Sequence, residues 1–186
     1  FELGNSYNAP VNLRFDDTNP AKEEQHFVDA IKKDVSWLGY SWDKECYASD
    51  YFDQLYAWAV QLIQQGKAYV DGQSAEQMAI QKGTPTAPGT ASPFRDQAPD
   101  EALRLFEEMK NGTYPEGSFT LRFKGDMVSP NMLLRDPVIY RIINKNHHRT
   151  ADKWCAHPMY DWAHVQSDYI EHISHSMCTW EFKPHR

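Results

Sequence analysis

Cysteine is scarce in this chain. The three residues, Cys46, Cys155 and Cys178, are an odd count with no Cys-x-x-Cys spacing, which argues against a disulfide framework or a thiolate zinc site and for a reducing compartment. Long apolar runs are missing as well. No stretch approaches the roughly 20 apolar residues of a membrane span, and the first residues carry neither the basic nor the apolar region of a secretory signal. A soluble, cytoplasmic protein without a membrane partner is the expectation. Positive charge is in deficit too: 19 lysines and arginines face 26 acids, for a formal charge of -7. That balance argues against a generally basic nucleic-acid coat, yet leaves room for a local basic track along phosphates.

With 186 residues, 41% of them hydrophobic, the chain can build one large domain or one and a half small ones. Its ends are abrupt: Phe1 reads as the tail of a helix closing by Asn8, and Arg186 follows a strand-like segment without a stop signal. A fragment of a longer protein is therefore expected. After Ala9-Pro10, residues 11–15 read as a short strand ending at Asp16-Asp17-Thr18-Asn19-Pro20. Acids at a strand's C-terminal end border the binding crevice of open α/β sheets. The competing role, capping the next helix, is open to Asp17 and Asn19 but not to Asp16, which lies too far upstream. Phe27, Val28, Ile31, Val35 and Leu38 recur at helical spacing over 21–38, between Pro20 and Gly39. A second helix is predicted over 49–65, with Tyr51, Phe52, Leu55, Trp58, Ala59, Leu62 and Ile63 inward, then a strand over 67–71. Strand, helix, helix and strand, with acids at the strand tip, point to an α/β class and part of a doubly wound nucleotide-binding fold.

The texture changes at Ser74, which caps a short helix. Residues 83–95, rich in Pro, Gly, Thr and Ser, form an exposed loop or long hairpin, either a tolerated insertion or a reaching arm. A helix follows over 99–111, with Pro99 in its first turn and Ala102, Leu103, Leu105, Phe106 and Met109 buried, then strands over 119–123 and 138–143. These make a mixed α+β unit of about a hundred residues, inserted into the larger fold. Residues 153–182 differ again. They gather aromatic rings, His157, His164, His172, His175, carboxylates and two thiols without a regular amphipathic period, the pattern of a pocket wall rather than a plain core helix. The substrate pocket is placed here.

Taken jointly, Leu13-Arg14-Phe15-Asp16-Asp17-Thr18-Asn19-Pro20, Gly83-Thr84, Arg135-Asp136-Pro137, His147-His148, Lys153-Trp154-Cys155, Pro158-Met159-Tyr160-Asp161 and His175-Ser176-Met177-Cys178-Thr179-Trp180-Glu181-Phe182 closely resemble the glutaminyl-tRNA synthetase family of class I enzymes, in order and spacing over nearly the whole chain. The family's HIGH-type and KMSKS-type signatures are absent. By this resemblance, residues 1–50 are the first, incomplete part of a Rossmann-type catalytic domain, 51–160 an inserted acceptor-stem-binding domain, and 161–186 the start of the second Rossmann half. The implied reaction is ATP-dependent ligation of glutamine to tRNA(Gln) through a glutaminyl-adenylate, with Mg2+ accompanying ATP, no protein-bound metal, and a monomeric enzyme. This chain would supply the glutamine pocket and the acceptor-end contacts and be inactive alone.

The resemblance also implies roles. Asp16 matches the carboxylate that holds the substrate ammonium, Tyr160 the tyrosine that hydrogen-bonds the substrate, His164 a pocket-lining position, Phe182 a pocket-wall aromatic and Thr179 a threonine near ATP. Cys178 stands where glutamyl relatives resemble an arginine suited to a carboxylate; a neutral thiol offers no countercharge, and burying an unpaired carboxylate costs several kcal/mol. Glutamine is therefore favoured over glutamate, and the same small side chain can also serve plain packing. Residues 83–95 match the hairpin that opens the acceptor end, with Thr84 and Pro85 among its acceptor-end contacts and Pro85 in place of a leucine wedge. Arg95, Arg122, Lys124 and Arg135 are candidate phosphate contacts or ordinary charges. Two departures bear on geometry: His172 replaces a glycine, and Pro184 displaces a polar residue expected after Glu181-Phe182. The rivals are a glutamyl-tRNA or non-discriminating synthetase, a zinc-binding protein using Cys155, His157, His164 and His175, and a non-catalytic RNA-binding fragment.

Overall fold

The computed structural model describes residues 1–178, so Thr179 and Phe182, expected at ATP and at the pocket wall, lie outside the described residues. Helix α1 (Glu2–Tyr7) closes on Asn8, which adopts a left-handed conformation (φ 48°) and donates its N–H to Asn5. Strand β1 (Asn12–Phe15) pairs in parallel with β2 (Lys44–Tyr47), Asn12 opposite Lys44 and Phe15 opposite Tyr47, and α2 (Gln25–Trp37) crosses between them. The sequence reading missed β2. Lys44 and Glu45 are exposed and only Cys46 and Tyr47 are buried, so the strand shows no alternation to read.

Helix α2 differs from its expectation in start and burial. It begins at Gln25 rather than 21, because Asn19 winds residues 19–23 into a turn: its carbonyl accepts from the N–H groups of Lys22 and Glu23, and its Oδ1 accepts from Ala21 N–H. Of its apolar stripe only Val28 is buried, while Phe27, Ile31 and, just past the helix, Leu38 are exposed. Gly39 follows with φ +85°, the left-handed position that favours glycine after a helix.

The main core lies further along the chain. A 3-10 turn (Ala48–Tyr51) leads into α3 (Phe52–Gln64), which buries Phe52, Leu55, Ala59 and Ile63. Strands β3 (Ala68–Asp71), β4 (Thr120–Phe123), β5 (Val138–Ile142) and β6 (Ala156–Pro158) form an antiparallel sheet in chain order. Helix α4 (Ala75–Gln81) starts at the expected Ser74 with a full capping box, Ser74 Oγ accepting from Gln77 N–H and Gln77 Oε1 from Ser74 N–H. Helix α5 (Pro99–Lys110) lays Ala102, Leu105, Phe106 and Met109 with Ala59 and Ile63 of α3 against Val70, Leu121, Ile139, Tyr140 and Ile142. Truncating a fully buried side chain such as Phe106 to alanine costs roughly 3–5 kcal/mol.

The stretch read as an irregular pocket wall is regular in part. Pro158 ends β6, and Tyr160–Ile170 is helix α6. Its buried seam is narrow and made of small residues, Ala163 and Ser167, which is why no apolar period marks it. Ala163 joins Ala48, Phe52, Leu55 and Trp154 in a second apolar cluster. Among the described residues the fold is α/β, with one parallel pair of strands and one antiparallel sheet, and no helix is long and apolar enough to cross a membrane.

Candidate functional site

Strand β1 and helix α6 meet through one guanidinium. Arg14 sits among three carboxylates: Nε donates to Asp16 Oδ1 at 2.8 Å, one terminal nitrogen lies 2.7 Å from Asp168 Oδ1, and the other lies 3.3 Å from Glu171 Oε2. On α6, Tyr160, His164 and Asp168 recur every fourth residue and so share one face, with Glu171 just past the helix end. His164 Nδ1 is 2.9 Å from both Asp16 Oδ2 and the Arg14 terminal nitrogen, and its Nε2 is 3.0 Å from Ser176 Oγ. Beside them Tyr160 stacks obliquely on His164, ring centroids 5.0 Å apart, and hydrogen-bonds Cys178.

The electrostatics follow from this crowding. Burial alone pushes Asp16 up, but the bonds with His164 and Arg14 outweigh it and hold the carboxyl below its ordinary range. Burial likewise disfavours the Arg14 charge, and Asp16 and its acidic neighbours override it. Glu171 goes the other way, raised by burial despite Arg14. One fixed cation therefore faces three carboxylates, an arrangement short of positive charge and suited to a ligand ammonium.

A second cluster fastens the same loop from behind. Asp17 is buried and accepts from Ser49 N–H and Oγ–H at 2.8 and 2.6 Å, while burial raises its pKa. His147 donates Nε2–H to the Asp17 carbonyl at 2.7 Å and accepts the N–H groups of Arg149 and Thr150 at Nδ1. Asp17, His147 and His148 are the one grouping of acids, histidines and thiols among the described residues close enough to share a metal ion. Both nitrogens of His147 are already engaged, so the cluster works as a latch between the 16–19 loop and the 147–150 turn. The rival zinc set, Cys155, His157, His164 and His175, does not converge. A groove of about 450 Å³ beside α2 is lined by Asp16, Asp17, Glu23, Phe27, Val28, Ile31 and His148; of the expected glutamine contacts it includes Asp16 alone.

Of the acceptor-end residues, Thr84 and Pro85 are exposed at a tight turn closed by mutual hydrogen bonds between Thr84 and Ala87. Lys124 is half-buried. Arg95 is partly accessible but paired to Asp136 at 2.9 Å. The expected surface contacts of Arg122 and Arg135 are corrected by burial, each being 1% exposed. Arg122 is paired to Asp71 at 2.7 Å under the sheet, and Arg135 is spent on backbone carbonyls. Sequence reasoning gave no role to Arg14, Asp168 or Glu171. The signal was present in the four-residue recurrence from Tyr160 through Asp168, once that segment is taken as a helix.

Comparison with known proteins bears on the whole chain. The family model for tRNA synthetases class I (E and Q), catalytic domain, matches residues 1–186. The glutamine–tRNA ligase of Chromobacterium violaceum is 59% identical across all of this chain and 33% of that protein, and that of Ectopseudomonas mendocina is 57% identical across all of this chain and 34% of that protein. The chain thus spans about a third of the length of the curated relatives it matches. The crystal structure of a glutamate tRNA ligase from Elizabethkingia meningosepticum, in complex with its amino acid, superposes with a TM-score of 0.62 over 95% of this chain and 38% of that one, at 18% identity, a likeness of fold. The chain belongs to the class I tRNA synthetase family of E and Q type and forms part of its catalytic domain.

Proposed function

We propose that this chain is the amino-acid pocket and acceptor-end part of an enzyme that ligates glutamine to tRNA(Gln) through a glutaminyl-adenylate. The observation that carries it is the convergence of Asp16 and His164 on Arg14, with Tyr160 stacked on His164 and bonded to Cys178. Asp16, held ionised, takes the substrate ammonium; Tyr160 and His164 orient the substrate. Arg14 is already engaged by three carboxylates and leaves no countercharge for a side-chain carboxylate, and the Cys178 thiol supplies none. Glutamate would then be buried unpaired at several kcal/mol, so the neutral amide is preferred. Catalysis rests on positioning: the glutamine carboxylate attacks the α-phosphorus of ATP, which enters as its magnesium complex, and a terminal ribose hydroxyl of the tRNA then attacks the adenylate. Thr179 near ATP and Phe182 at the pocket wall complete this reading.

In domain terms, residues 1–50 and 161–186 are parts of a Rossmann-type catalytic domain, and 51–160 is an acceptor-stem domain inserted between them. The antiparallel sheet with α5 falls wholly within the second range, which supports that division. The exposed turn with Thr84 and Pro85 is the part that meets the acceptor end, with Lys124 and Arg95 the accessible cations nearby. The enzyme is read as cytoplasmic and monomeric. The decisive experiment charges tRNA(Gln) with labelled glutamine or glutamate, using the full-length parent protein and its Cys178→Arg variant. Glutamine charging that falls in the variant supports the reading; glutamate charging by the parent overturns the substrate.

A further inference from the structure

The exposed turn at residues 83–88 is closed on itself only by the Thr84–Ala87 bridge, and what ties it to the rest of the molecule lies beneath. Gly83 has φ +71°, and a Cβ there would come within 2.6 Å of the Pro88 carbonyl oxygen, so the chain doubles back as tightly as glycine allows. Under this fold-back lies Arg135, in the link between β4 and β5. Its Nε donates to the Ser129 carbonyl at 2.7 Å, and one terminal nitrogen donates to the carbonyls of Lys82, Thr84 and Ala87 at 2.5, 2.9 and 2.9 Å. Four carbonyl dipoles from two loops receive one buried charge. Such a burial is stable only while those acceptors stay in place, and the planar fork dictates where they stay.

We propose that Arg135 is a positioning residue that sets how the turn at 83–88 is presented to the acceptor end, without touching the RNA. The proposal rests on the reading of that turn as an RNA contact. Its neighbour acts in parallel on the following stretch. Asp136, fully buried at φ +39°, accepts from Arg95 Nε, from Tyr69 Oη and from Gly125 N–H. The dipeptide therefore anchors both the turn and, through Arg95, the irregular stretch that follows it in the Pro- and Gly-rich segment.

The test compares Arg135→Met, Arg135→Lys and the exposed-tip variant Pro85→Glu in the full-length protein, by steady-state charging with tRNA(Gln), glutamine and ATP varied in turn. Loss of the fork is expected to raise KM for tRNA about tenfold while KM for glutamine and ATP stays within about twofold, with lysine intermediate because a single ammonium cannot hold both loops. Hydrogen exchange at residues 82–90 should quicken in the same order. A merely structural role would lower kcat through the active fraction and leave KM for tRNA unchanged, and that result overturns the proposal. Should Arg135→Met not fold, the lysine variant is judged by the same two criteria. If Pro85→Glu raises KM for tRNA and neither Arg135 variant does, the anchoring idea alone fails. If none of the three moves it, the turn does not meet the RNA, and the underlying reading fails with it.

Discussion

Asp16 is the residue on which the site is built, because its ionised state is secured by Arg14 and His164 before any ligand arrives. Replacing it with asparagine removes a charge-assisted bond worth roughly 1.5–3 kcal/mol, so KM for glutamine in the full-length enzyme should rise about 10- to 100-fold; an unchanged KM would place the ammonium elsewhere. Two other groups, one buried and one half-buried, make opposite pH predictions. Burial lowers the His157 pKa from 6.5 to about 4, so the unfolded chain binds the extra proton between those values and stability is lost as pH falls through that window, by about 3 kcal/mol at most. His157→Phe should therefore flatten the acid side of a urea-midpoint profile between pH 7.5 and 4.5. Burial raises Glu23 to about 7, so its contribution is present below about 4.5 and lost as pH rises through 7. Glu23→Gln should remove a decline that runs the other way, and parallel profiles for the two variants would refute both assignments.

Elements were legible where burial wrote a period into the sequence. Helices α3 and α5 each bury side chains at three- and four-residue intervals, and both were readable with their ends nearly right. Helix α6 was not, since its buried seam is Ala163 and Ser167 and its other positions are given to chemistry. Strand β2 escaped because two of its four residues are charged and exposed. Helix α2 shows the converse: its apolar stripe is real, yet among the described residues only Val28 is covered. Composition marked the C-terminal stretch as a pocket wall and the family resemblance named Asp16, Tyr160, His164 and Cys178 within the proposed site, whereas Arg14 could be placed only when α6 was seen to lie across β1. The end of α6 carries its own prediction. His172 sits at φ +56° two residues past the helix, a backbone position that favours glycine. His172→Gly should stabilise the protein by up to about 1 kcal/mol, the left-handed cost of roughly 1–2 kcal/mol less the extra unfolded-state entropy of glycine, readable as a higher denaturant midpoint at unchanged slope; a lower midpoint would mean that the imidazole makes a contact of its own.

At the scale of the whole molecule, acidity and the proposed RNA contact are reconciled by placement. The chain carries a formal charge of -7, and its buried arginines, Arg122 and Arg135, cannot reach a phosphate directly. Binding of tRNA through this part should accordingly lean on few phosphate contacts. The salt dependence of tRNA KM in the full-length enzyme should change by about one unit of log–log slope when Lys124 is replaced by alanine, and no change would remove Lys124 from the interface. By itself, the 186-residue polypeptide is expected to form no adenylate, as pyrophosphate exchange can check. The joint between Arg14 and His164 spans 150 positions of sequence. A ribosome adding about 5–20 residues per second needs roughly 8–30 seconds to make the second half of that joint after the first. For that interval the newborn chain holds Asp16 and Arg14 without α6, so the joint on which the proposed amino-acid pocket is built stays open until that helix has been made.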